Sequence, residues 1–166
     1  MEHLSRKKIK KLLDEIFSHY IRIKEADEHG NSRCWTCGKS AHYSKQYCGH
    51  FASRRWLATR WDERNCRTQC YACNVLRFGE QWKFGNRLDK QCGGIAERIM
   101  QKAENKRTWS TRELCHLVNH YRAALEKEIP RLQSTDNSIT ERTFAVLGRV
   151  RKFQNGLTSN NTKRAV

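Results

Sequence analysis

The chain has 166 residues, 37% of them hydrophobic, and carries 33 Lys and Arg against 17 Asp and Glu, a formal charge of +16. That length suits one domain with a modest core and hardly two. No apolar run approaches the ~20 residues a membrane span needs. The basic stretch from Arg6 to Lys11 leads into Asp14 and Glu15 instead of a signal core, so the expected location is the cytoplasm. Such a cationic surplus attracts polyanions at long range and neutralises phosphates on contact, which makes nucleic acid the expected partner.

In chain order, residues 1–30 read as an N-terminal amphipathic helix: over 3–28, Ile9, Leu12, Leu13, Ile16, Phe17, Tyr20 and Ile23 share one stripe, and His29-Gly30-Asn31 ends it. Residues 31–92 change character. Cysteines, glycines and aromatic residues interleave with arginine, and no helical period is sustained before about Asn74. Residues 93–130 predict a helical hairpin. Its first arm, about 94–106, puts Ile95, Ile99 and Ala103 on one face. Ser110-Thr111-Arg112-Glu113 is a capping box that launches the second, with Leu114, Leu117, Val118, Tyr121 and Leu125 inward and a stop before Pro130. Residues 131–166 form a basic C-terminal segment expected to be partly disordered: a polar linker over 131–138, a second capping box at Ser138 to Glu141, a short helix bearing Phe144, Leu147 and Val150, and a loose tail from Asn155. The predicted fold class is α+β, a small metal module with flanking α-helices.

Cys34-Trp-Thr-Cys37 and Cys70-Tyr-Ala-Cys73 each have the two-residue spacer that lets a tight turn aim both sulfurs at one ion. Four thiolates complete a tetrahedron and leave no open position, so the expected Zn²⁺, one per chain, is structural and not the catalyst. Two such pairs in a chain without a signal core point to metal in a reducing compartment and not to disulfides. Cys48, Cys66, Cys92 and Cys115 lack metal spacing and read as small buried apolar residues.

Between the pairs run Tyr47-Cys48-Gly49-His50-Phe51, a basic loop and Arg64-Asn65-Cys66, and Asn74 follows the second pair at once. Hydrolysing a phosphodiester needs a base for water, a cation for the charged transition state and a group that orients the base. His50 can take a proton near neutrality. Asn65 can hold the imidazole or fix the hairpin, and Asn74 offers a hard carbonyl oxygen to a catalytic Mg²⁺ or Mn²⁺. Taken singly, each has a plainer reading: a core histidine, a turn residue, a helix cap. In the loop from Phe51 to Arg64, Arg54, Arg55, Arg60 and Arg64 suit phosphate, and Trp56 and Trp61 suit base or sugar faces or else the core. Arg77, Lys83 and Arg87 could extend that track. Phosphate contacts carry no sequence information, so the expected recognition is of shape and charge.

Taken together, these residues resemble the HNH, or treble-clef ββα-metal, nuclease pattern, in which the same types occur in the same order. The stretch from Cys34 to about Glu128 resembles the NinG (Rap) recombination nucleases of lambdoid phages. The matching features are Cys-x-x-Cys-Gly at 34–38, Gly49-His50, Arg60 to Asn65, Gln69-Cys70, Cys73-Asn74 and the capped stretch from Trp109 to Leu125. The resemblance implies a treble-clef module, metal-dependent cleavage of branched DNA such as Holliday junctions, and a role in phage recombination in the host cell cytoplasm. Many HNH enzymes carry an Asp or His ligand directly before the base, where this chain has Gly49. Asp62, Glu63, His42 and Glu80 are the candidate substitutes, with Glu80 first because similar chains place an oxygen-bearing side chain there. The alternatives are a non-catalytic zinc-dependent nucleic-acid-binding protein and an HNH endonuclease for ordinary duplex DNA. A four-way junction offers two equivalent strands, so a homodimer is expected, with helix 3–28 or the 94–128 hairpin as its interface.

Overall fold

The computed structural model describes residues 5–132, 143 and 145–151. Helix α1 spans Arg6–Lys24, started by the Ser5 hydroxyl, which accepts from the Lys8 amide. It ends short of the predicted residue 28 because the Asp27 carboxylate accepts from the amides of His29 and Asn31, at 3.0 and 2.8 Å, and closes a turn there. Strands β1 (Asn31–Arg33) and β2 (Ser40–His42) form one antiparallel pair, and β3 (Gln46–His50) and β4 (Cys66–Cys70) form another. In the second pair Gln46 lies opposite Cys70 and His50 opposite Cys66. One π-helical turn follows at Ala72–Leu76, then α2 (Gln81–Cys92), α3 (Ile95–Glu104) and α4 (Thr111–Glu128). Residues 145–151 are helical.

Two hydrophobic cores divide these elements. The larger packs Leu13, Ile16, Phe17 and Ile23 of α1 against Leu114, Val118, Tyr121 and Leu125 of α4, closed by Val146, Leu147 and Val150 and floored by Trp61 and Cys66. The smaller gathers Trp35, Ala52, Phe84, Leu88, Ile99 and Ala103. Burying each large aliphatic side chain in such cores contributes roughly 1.5–3 kcal/mol.

The predicted 93–130 hairpin is therefore divided. Gly93 and Gly94 take φ of 59° and 69°, a left-handed reversal that folds α3 back onto α2. Helix α4, its capping box formed as predicted at Ser110 and Glu113, packs instead on α1. The apolar stripes proposed as a homodimer interface are thus buried within one chain. The 133–138 part of the linker, the Ser138–Glu141 box, Phe144 and the tail from Asn155 lie outside the described residues, whereas Leu147 and Val150 are buried as the short helix requires. No helix among the described residues is long and apolar enough to cross a membrane.

Candidate metal centre and active site

Cys34 follows β1, and its chain reverses through Gly38, at φ 77°, with the Gly38 amide bonded to the Cys34 carbonyl at 2.9 Å. Cys70 ends β4, and Cys73 sits in the π-helical turn. These two turns bring the sulfurs of Cys34, Cys37, Cys70 and Cys73 within 4.8 Å of one another, with Cys37 and Cys70 3.7 Å apart. A set of four convergent sulfurs could hold a zinc ion, as the spacing predicts. The surroundings divide the thiols: burial and the neighbouring sulfurs push Cys37 up to about 12, and burial raises Cys70 as well. Burial opposes ionisation of Cys34, yet the Thr36 hydroxyl and the amides of Cys37, Cys70 and Thr36 draw it down to about 6. The Arg77 guanidinium donates to the Cys73 sulfur at 2.8 Å. Between the first two cysteines, Trp35 is clamped by Arg67 and Arg87 at 4.9 and 4.7 Å, and its indole N–H donates to the Phe84 carbonyl. The cluster is thereby fastened to the smaller core.

His50, the last residue of β3, opens on a cavity of about 810 Å³ whose walls include Arg54, Trp56, Asn74, Phe78 and Gln81. Its Nε2 lies 3.0 Å from the Arg60 carbonyl, which can only accept. Nε2 therefore carries the hydrogen, and in the neutral ring Nδ1 keeps the lone pair. Burial pushes the imidazole down to about 4. The nearby Arg54 charge adds to this, and the carbonyls of Arg60 and Cys48 oppose it.

Asn65 does not touch that ring. Wholly buried, it accepts from the Ala52 amide at 2.6 Å and donates to the carbonyls of Ala52 and Thr59 at 3.0 Å each. These bonds tie the 52–64 loop to the hairpin. The group that fixes the imidazole is a backbone carbonyl, which no residue pattern could reveal. Asn74 shares the cavity with His50, but it lies inside the π-helical turn and not at the start of a long helix. The chain breaks before α2 because Phe78, Gly79 and Glu80 all take positive φ.

The substitutes for a ligand at position 49 are engaged elsewhere. Glu80 is held by Lys83 at 2.5 Å and by Arg77, and these cations keep its carboxyl below the usual range. Asp62 pairs with Arg64 and Lys102, Glu63 accepts from Tyr20 and Lys24, and His42 bonds Ser44. No described carboxylate lines the larger His50 cavity, but Asp14 shares with His50 a smaller one of about 60 Å³. A side chain at Gly49 would run into the buried Gln69 amide, so the hairpin's own packing excludes the common ligand there.

Among the residues predicted to meet DNA, Arg60 forks onto Asp14 of α1 at 2.9 and 2.5 Å, joined by Arg54 at 3.1 Å and the Trp61 indole at 2.9 Å. Arg64 is tied to Asp62, and Arg77 and Lys83 to Glu80. Trp56 packs against the smaller core with Arg55 stacked on its ring at 4.6 Å, and Trp61 is buried in the larger one. The loop tryptophans are thus core side chains first. Two features carry no signal in the sequence pattern. The ligand atoms of Cys48, His50 and Cys66 also lie within 4.8 Å of one another, but burial pushes the Cys66 thiol well up, which disfavours metal there. Among the described residues the large exposed aromatics are Tyr47, Tyr71, Phe78 and Trp82, all outside the basic loop.

The class that the fold and site define is a mixed one of helices and two small antiparallel sheets with a tetracysteine cluster that could hold zinc. A family model described as Bacteriophage Lambda NinG protein matches residues 2–131. The chain belongs to the NinG family, and that membership suggests a role related to phage recombination. No curated protein and no solved structure matches it.

Proposed function

We propose that this protein is a metal-dependent, structure-selective DNA endonuclease that hydrolyses phosphodiester bonds in branched recombination intermediates such as Holliday junctions. One observation carries the reading: a histidine whose tautomer is fixed by the Arg60 carbonyl opens on one cavity with Asn74, the residue that follows Cys73 of the cluster. The order of the Cys34–Cys37 turn, the β3–β4 hairpin and the helical turn with Cys73 supports a treble-clef ββα-metal unit around a structural zinc.

In this reading His50, neutral at pH 7, takes the proton of the attacking water at Nδ1. Asn65 keeps the 52–64 loop, and so the Arg60 carbonyl, in register behind the ring. Arg54 and Arg55, which line the cavity, bind the flanking phosphates. A catalytic Mg²⁺ or Mn²⁺, held by Asn74, would supply charge stabilisation at the scissile phosphate. Because no carboxylate lines the larger cavity and Asp14 in the smaller one is engaged by Arg60, most of the negative charge that would hold the ion would come from the DNA. A homodimer would place two such centres on the two strands of a junction, using a surface other than the α1 and α4 stripes.

The test is incubation of the full chain with synthetic four-way, nicked, duplex and single-stranded DNA in Mg²⁺ or Mn²⁺. Junction cleavage should dominate and fall roughly 10²–10⁴-fold in His50→Ala, while Asn74→Ala should raise the metal concentration required. Cleavage that survives His50→Ala removes the base assignment. The second reading, a non-catalytic nucleic-acid-binding protein, is favoured by the larger cavity's lack of carboxylates. Salt-sensitive binding with no divalent-dependent cleavage of any substrate would establish it.

A further inference from the structure

The segment between the cluster and α2 has an unusual backbone. Phe78, Gly79 and Glu80 take φ of 51°, 85° and 48° in succession. For a phenylalanine this is a disfavoured conformation that persists only where its surroundings over-determine it. They do so here. The Gly79 amide donates to the Cys73 carbonyl at 2.8 Å, the buried Gln69 amide donates to the Gly79 carbonyl at 2.9 Å, and Arg77 and Lys83 clamp Glu80. The strain is not offset by burial: the Phe78 ring is 87% exposed and the Trp82 ring, at the start of α2, 80% exposed. Tyr47 and Tyr71 flank the segment, their centroids 5.8 Å apart and both rings open to solvent. Phe78 and Tyr47 also line the His50 cavity. An aromatic rim therefore begins on the cavity wall, where Phe78 and Tyr47 stand with Arg54 and Arg55, and runs on to Trp82, next in the chain to the wall residue Gln81, with Arg77 and Lys83 adjoining Phe78 and Trp82 in the chain.

We propose that this rim, led by Phe78 and Trp82, is a stacking site for unpaired nucleobases at the branch point of DNA. The proposal rests on the reading of the protein as a binder of branched DNA and names the group by which it would tell a branch from a duplex. Rings presented on a rigid, cationic surface meet the two requirements of single-stranded nucleic acid: faces for bases and charge for the backbone. An intact duplex keeps its bases stacked and offers the rings nothing, whereas a branch point exposes base faces that an apolar wedge can enter. The rim's charge favours nucleic acid over an apolar protein partner, because Arg54 and Arg55 line the cavity that Phe78 and Tyr47 share.

The test separates recognition from cleavage. Zinc-loaded full-length protein in a His50→Ala background, without added divalent ions, is titrated into a four-way junction carrying 2-aminopurine at the crossover and into a duplex of equal length. Binding should raise the 2-aminopurine emission as the base leaves its neighbours. Phe78→Ala and Trp82→Ala should each weaken junction binding about tenfold, abolish part of that rise and leave duplex affinity unchanged. Phe78→Tyr should restore both, and Lys83→Ala should weaken junction and duplex alike. Because both rings are exposed, zinc content and circular dichroism should stay as in the parent. A double alanine variant that keeps parental preference and emission overturns the proposal, as does a variant whose free form changes only its sedimentation, which would make the rim a contact between copies. Failure of the parent to bind any DNA removes the nuclease reading itself, a result distinct from selective loss in the variants.

Discussion

The two cores differ in what holds them together. The larger is built on long helices whose apolar faces meet over most of their length, and it is closed by Tyr121, which donates to the Trp61 carbonyl at 2.6 Å. The smaller contains six buried residues, two of them alanines, around Trp35 and Phe84. An apolar cluster of that size does not offset the entropy of ordering the strands and turns that surround it. It lies against the four cysteines, and a bound zinc ion would supply what the apolar contacts lack. One half of the molecule is held by burial and the other would be held by coordination, and the proposed active site lies on the seam between them.

The largest expected effect comes from breaking the coordinated half. A structural zinc contributes on the order of 10 kcal/mol. Chelation or Cys70→Ser should therefore release the zinc and collapse the smaller core, while α1 and α4 keep most of their helical signal in far-ultraviolet circular dichroism. Loss of both together would erase the distinction between the cores. In the larger core, Leu114→Ala should cost about 2–5 kcal/mol in denaturant unfolding without changing zinc stoichiometry. Asn65→Ala acts on the seam. It strands one amide and two carbonyls of the loop, and should cost about 3 kcal/mol and lower any cleavage in proportion to the loss of loop order, with zinc retained.

The smallest effect near neutrality is the pH dependence. Burial depresses His19 to about 3 and His50 to about 4, whereas unfolded imidazoles titrate near 6.5. Between pH 4 and 6.5 the unfolded chain binds more protons than the folded one, so stability rises with pH through that window and is lost on acidification. Denaturation midpoints at pH 7 and 5 should show the fall, and His19→Ala or His50→Ala should each flatten it. The acid limb of proposed cleavage should likewise lie near pH 4 and not near 6.5.

Local chemistry makes much of this protein legible in its amino-acid sequence. The spacing of Cys34, Cys37, Cys70 and Cys73 determines the cluster, because a Cys-x-x-Cys turn needs only its own backbone to converge two sulfurs. Ser110 and Glu113 determine the start of α4, because a capping box closes within one helical turn. What required the tertiary structure was every choice of partner. That α4 seeks α1 and α3 seeks α2 depends on which apolar faces can meet once Gly93 and Gly94 reverse the chain. That His50 is fixed by a carbonyl, that Asn65 serves the loop, that Gln69 forbids a ligand at Gly49, and that Arg60 belongs to Asp14 all follow from contacts between distant segments. Side-chain type states what a residue can do; only the fold decides which of those bonds is already taken.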